Sequence, residues 1–207
     1  MSDDSTLNAV RSALKAYVDP YLKETLGEAG ALRDLSVQGD RYQARIALGY
    51  PVGGYRDELA AALEAHLAAA GLQVPLSIEL EADIRPHAVQ RNLKPLGEIL
   101  NIVAVASGKG GVGKSTVAAN LALAWAAQGA RVGLLDADIY GPSQPLMLGL
   151  EGQRPTSPDG KHLQPLESYG VAAMSIGFLV DAEQPMVWRG RMVTQALSQL
   201  LSVTHWG

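Results

Sequence analysis

"GKGGVGKST", Gly108–Thr116, decides how this 207-residue chain is read. Gly108 to Ser115 fits the spacing GxxxxGK[ST], whose mechanism needs a buried strand before it and a helix opening at its end. Glycine lets backbone N–H groups turn inward around phosphate oxygens, where a Cβ would obstruct them. A helix starting at Lys114 adds its positive N-terminal end. Lys114 is then placed to reach the β- and γ-phosphates and Ser115 to ligate Mg²⁺ through its hydroxyl. Thr116 is placed to contact the α-phosphate. Gly108, Lys109, Gly110, Gly111, Val112 and Gly113 complete the candidate nucleotide-binding set. The loop needs one lysine, so Lys109 is left over.

The surroundings supply the context. "ILNIVAVAS", Ile99–Ser107, is a near-continuous apolar run that predicts a strand buried on both faces of a parallel sheet. A helix is predicted from Lys114 to about Gln128, with Gly129 in the left-handed position past its end. "ARVGLLDAD", Ala130–Asp138, predicts the next buried strand. Strand, loop, helix and strand then make one βαβ unit with a right-handed crossover. Asp136 and Asp138 fall at the C-terminal edge of that sheet, where ligands bind in α/β folds. Asp136 is a candidate to hold Mg²⁺ through a water and Asp138 to orient an attacking water. Aspartates at a strand end also serve as plain caps. Further on come a turn at Ser157–Gly160, a strand at Val171–Ile176 and a helix near Arg191–Ser202.

Residues 1–84 read as a separate small α+β domain, residues 85–98 as a linker and residues 99–207 as the nucleotide domain. In the first domain Ser5 or Thr6 is expected to cap a helix carrying Leu7, Val10, Leu14 and Val18 on one stripe. Pro20 should disturb that helix, with "YLKETLG" adding a further turn. Short strands are expected at Leu35–Val37, Tyr42–Tyr50 and Val74–Ile84, and an Ala-rich helix at Arg56–Gly71. Glu79, Glu81 and Asp83 share one strand face, read as its solvent side. Arg85, Arg91 and Lys94 in the linker have no interleaved aromatics.

Composition excludes several classes. Net charge is −4 and the isoelectric point near 5.5, so bulk electrostatics recruit neither nucleic acid nor anionic lipid. Val117–Leu135 is interrupted by Asn120, Gln128 and Arg131 and is no membrane span. The acidic N-terminus lacks a secretory pattern, so the expected compartment is the cytoplasm. There are no cysteines, and His66, His87, His162 and His205 are scattered. No thiolate cluster ligand lies within these residues.

"KGGVGKS", Lys109–Ser115, resembles the deviant Walker A motif of the SIMIBI group of P-loop ATPases. That group includes nitrogenase iron protein, MinD, ParA and the Mrp/ApbC cluster carriers. The resemblance implies a nucleotide-sandwich homodimer in which Lys109 reaches the partner's phosphates, so that Lys109, Lys114 and Asp138 form the catalytic set. Asn101–Gly149, with its "DADIYGPS" segment, resembles Mrp/ApbC almost continuously. Residues 1–84 resemble the small α+β domain of iron–sulfur assembly factors, although "YPVGG", Tyr50–Gly54, lacks the cysteine often found there. Arg191 stands where the family has proline in "RGPM". The fold implied is α/β: a P-loop NTPase parallel sheet with flanking helices behind a small α+β domain. The function implied is ATP hydrolysis coupled to carrying a [4Fe–4S] cluster, with apo iron–sulfur proteins and assembly factors as partners. "SVTHWG" resembles the point just before the family's Walker B strand. The chain is therefore expected to be truncated before that strand and before the CxxC pair that holds the cluster, with the sheet incomplete at its C-terminus. A ParA/MinD-type positioning ATPase is the alternative; "DIYGPS" and the N-terminal domain weigh against it.

Overall fold

Apolar side chains at three- and four-residue spacing build α1 (Asp3–Ala16), with Val10 and Leu14 fully buried. In the computed structural model the described residues are 3–86, 96, 99–179 and 190–207, with Asp3 and Gly190 described by backbone alone. The chain divides into two compact units, Met1–Arg85 and Pro86–Gly207. Most of the expected linker lies outside the described residues.

In the first unit, β1 (Leu32–Gln38) pairs antiparallel with β2 (Arg41–Leu48). β2 in turn pairs parallel with β3 (Leu76–Ala82) after a crossover through α2 (Arg56–Ala69). Leu59, Leu63 and Leu67 recur every four residues on α2 and are buried, with Ala44, Ile46 and Leu48 of β2 in the same core. Gln43 and Arg45 of β2 look outward with Glu79 of β3, as the period-two pattern requires.

Two expectations fail at α1. The helix already runs through Ser5 and Thr6, so neither caps it. Val18 is off the stripe, 56% exposed and bridged to Thr25, and "YLKETLG" forms turns instead of helix. Asp19 is the reason. Its carboxylate accepts the backbone N–H groups of Tyr21 and Leu22, both at 2.9 Å, which folds the chain into a turn around Pro20. The same carboxylate accepts the phenol O–H groups of Tyr50 at 3.1 Å and Tyr55 at 3.0 Å. Asp19 is wholly buried, and the rings of Tyr21, Tyr50 and Tyr55 meet edge-to-face or tilted around it.

Burial first, and then the Asp19 carboxylate, push the phenols of Tyr50 and Tyr55 well above the ordinary tyrosine range. A folded-state pKa raised above the unfolded value contributes stability that is whole below the unfolded pKa and lost above it. Stability of the first unit is therefore expected to be insensitive to tyrosine ionisation below about pH 10 and to fall as pH rises beyond it. Phenolate absorbance should show Tyr50 and Tyr55 ionising only together with unfolding. Ionisation of all the tyrosines in the still-folded chain would contradict this.

In the second unit α3 (Lys114–Ala127) opens at the expected residue and Gly129 follows it with φ of 85°. β4 (Val132–Asp136) pairs parallel with β6 (Val171–Ser175), and β6 pairs antiparallel with β5 (Leu166–Ser168). The order is β4-β6-β5. A short α4 (Gln144–Met147) lies between β4 and β5, a single 3-10 turn follows β6 at Ile176–Phe178, and α5 (Gly190–Val203) is the last helix described. Ile139, Leu148, Met174, Phe178 and Leu200 form the core. Past α5, Trp206 lies on β4: a Cβ at Gly133 would sit 2.5 Å from its ring.

The run Ile99–Ser107 departs from expectation. It is in no strand, and Leu100, Ile102 and Val103 are 46%, 63% and 59% exposed. A parallel strand exists through its ladder bonds, and an apolar sequence alone does not make one. β4 spends one edge on β6 and has no strand on its other edge among the described residues. The βαβ unit expected across the phosphate loop is thus not closed, and β4 itself is only half-buried.

Candidate functional site

Two glycines set the loop. Gly111 and Gly113 hold φ of 72° and 88°, where a side chain costs about 1–2 kcal/mol. Gly113 stands immediately before α3, whose first turn has neither a side-chain cap nor an acidic residue. The positive end of the helix is therefore left un-neutralised toward the loop. The Ser107 hydroxyl accepts the Lys109 N–H and donates to the Lys109 carbonyl, both at 3.1 Å, which hooks the loop entrance. Lys114 and Ser115 are half-buried, while Gly108, Lys109, Gly110, Val112 and Thr116 are exposed. Lys109 and Lys114 are in none of the ion pairs among the described residues.

The end of β4 meets this loop through one residue that sequence reasoning passed over. Asp136 is 5% exposed. Its Oδ1 accepts the Asp138 N–H at 3.1 Å and its Oδ2 the Gln144 N–H at 3.0 Å. The Gln144 side chain then reaches α3, where Nε2 donates to the Ser115 carbonyl at 3.0 Å. Asp136, Gln144 and Ser115 so form a continuous bridge from strand end to phosphate loop. Asp138 is exposed and accepts the Gly141 N–H at 3.1 Å. Both aspartates thus act as turn acceptors, and each carboxylate keeps lone pairs beyond those bonds. Pro142 and Pro145 seat the segment on Gly177, where a Cβ would approach Pro142 to 3.0 Å.

Asp136 and Ser115 are therefore linked through Gln144, whereas the Lys109 side chain is displayed to solvent and Asp138, also exposed, joins the bridge only through its backbone N–H to Asp136. Gln144 carried no sequence signal, being one glutamine between two prolines. Among the described residues no group of three histidine, cysteine, aspartate or glutamate side chains gathers for a metal, and no helix is long and apolar enough to cross a membrane.

Residues 98–207 match the ParA family described as NUBPL iron-transfer P-loop NTPase, and residues 7–74 match the family described as iron–sulfur cluster assembly protein. An iron–sulfur cluster carrier protein of Escherichia coli strain K12 is 43% identical over 95% of this chain and 53% of its own length. One of Pseudomonas fragi is 58% identical over 62% of this chain and 45% of its own. Among solved structures, a nucleotide-binding protein of Archaeoglobus fulgidus in complex with ADP is 41% identical, over 50% of this chain and 38% of its own, with a TM-score of 0.42. The chain spans about half the length of the curated relatives it matches.

Proposed function

The chain belongs to the NUBPL iron-transfer P-loop NTPase family, and on that premise we propose that it binds and hydrolyses ATP in an iron–sulfur cluster carrier. The observation that supports this best is the Asp136–Gln144–Ser115 bridge. It ties a strand-end carboxylate, through Gln144, to the loop in which Gly111 and Gly113 take positive φ, a backbone that lets N–H groups turn inward.

In this reading the N–H groups from Gly110 to Thr116 surround the phosphates, Lys114 pairs with the β/γ oxygens, and Thr116 contacts the α-phosphate. Asp138, exposed and tied by its N–H to Asp136, accepts a proton from the attacking water and orients it. Lys109 serves the partner's phosphates in a homodimer closed over nucleotide. The donors Ser115 and Asp136, the latter through a water, are both oxygen, which suits Mg²⁺. Bound with ATP, that ion would neutralise charge developing on the phosphates. The [4Fe–4S] cluster is cargo, and apo iron–sulfur proteins and assembly factors receive or supply it. These 207 residues contain no cysteine, so the part assigned to them is the nucleotide cycle.

Calorimetric titration with Mg·ADP tests the reading. The wild-type chain should bind, and Lys114→Ala should weaken binding about 30- to 100-fold, the loss of about 2–3 kcal/mol of charge-assisted bonding. No binding by wild type at millimolar nucleotide would overturn the proposal.

A further inference from the structure

Two buried polar atoms beside the bridge have no hydrogen-bond partner among the described residues: the Gln144 Oε1 and the Ser143 Oγ. Gln144 is 4% exposed. The orientation of its amide follows from its neighbour, because the Ser115 carbonyl can only accept and so faces Nε2. Oε1 is thereby left as a bare acceptor on the same carbon as the Nε2 that bonds Ser115. A buried amide oxygen without a donor costs about 1–3 kcal/mol, and such an oxygen in a native site calls for a partner, a water or an ion among them.

Neither group bonded to Gln144 has a donor to spare, and the Ser143 hydroxyl is not bonded to it. The Asp136 carboxylate is an acceptor, and the Gln144 backbone N–H is already given to it. A water held by a cation is a strong donor, since the ion's charge polarises its O–H bonds. We propose that Gln144 is a positioning residue for the divalent cation that accompanies nucleotide. Its Oε1 accepts from the cation's bound water, its Nε2 holds the Ser115 turn, and the Ser143 hydroxyl supplies a second polar contact for the same water shell. This rests on the nucleotide–Mg²⁺ reading above. It adds that the two halves of one amide do different work, one structural and one toward the ion.

Those halves can be separated by substitution. Gln144→Leu removes both donor and acceptor at nearly constant volume, whereas Gln144→Glu removes the donor and keeps oxygen acceptors. The measurement is Mn²⁺ binding to the 207-residue chain with ADP, read from loss of the free-ion electron paramagnetic resonance signal. ADP affinity without metal is measured in parallel. Gln144→Leu should weaken Mn²⁺ binding about tenfold, as is usual for removal of an outer-shell partner, and Gln144→Glu should stay within about threefold of wild type. Metal-free ADP affinity should change less than about twofold in both. If the two variants lost Mn²⁺ equally, only the bond to Ser115 would matter and the proposal would be wrong. Wild-type affinity in Gln144→Leu would overturn it too, as would a parallel fall in metal-free ADP affinity. Failure of wild type to bind ADP at all would instead sink the nucleotide reading, and this inference with it.

Discussion

Alanine at Lys109 lowers ATP turnover by about three orders of magnitude and leaves nucleotide affinity within a few-fold, the expected result for a charge that acts like an arginine finger. In the proposed cycle Lys114 holds the ground-state phosphates in its own subunit, so its loss is expected to appear in binding. Lys109 is exposed at a loop entrance hooked by Ser107, so its charge is displayed outward, where a facing subunit would meet it. Hydrolysis places extra charge on the γ-phosphoryl oxygens, and a cation arriving only on dimer closure stabilises that state selectively. A mixing experiment isolates the trans geometry. Lys109→Ala and Asp138→Asn should each be inactive alone. Mixed, half of the dimers pair an intact Asp138 with the partner's intact Lys109 in one of two sites, which restores about a quarter of wild-type turnover. A lysine acting within its own subunit would give no recovery.

Asp19→Ala is expected to destabilise the first unit by about 3–4 kcal/mol, measured by urea unfolding of the chain. The substitution takes the acceptor from two backbone N–H groups and two phenols at once. Domains of this size have about 5–15 kcal/mol in total, so a quarter or more of the margin would go. Asp19→Asn keeps one acceptor oxygen and should cost less. Tyr55→Phe removes one donor and should cost about 1 kcal/mol, and in an Asp19→Ala background it should cost almost nothing, because its partner is already gone. Loss of less than about 1 kcal/mol in Asp19→Ala would show that water replaces the carboxylate freely.

What could be read from the sequence was local. The helix opening at Lys114 and the left-handed Gly129 follow from chemistry within a few residues, and each is where it was expected. Asp19 was read only as the neighbour of a helix-disturbing proline, because the tyrosines that bury it arrive 31 and 36 residues later. Ile99–Ser107 has the composition of a buried strand, but a strand is a relation between segments, and its ladder partner is not encoded in its own residues. In the site, the loop and the strand-end aspartates were legible as types. Gln144 was not, since its importance comes from the Ser115 carbonyl, 29 positions away.

The tyrosine cluster around Asp19 also determines how the molecule absorbs and emits light. Tyr17, Tyr21, Tyr42, Tyr50 and Tyr55 all lie in the first unit, which contains no tryptophan. Trp125, Trp188 and Trp206 all lie in the second. Melting of the first unit therefore registers in tyrosine absorbance, and excitation at the red edge of the indole band sees the second unit alone. Trp206, packed on Gly133 three residues before Asp136, gives that emission one component that reports on the strand carrying the carboxylate.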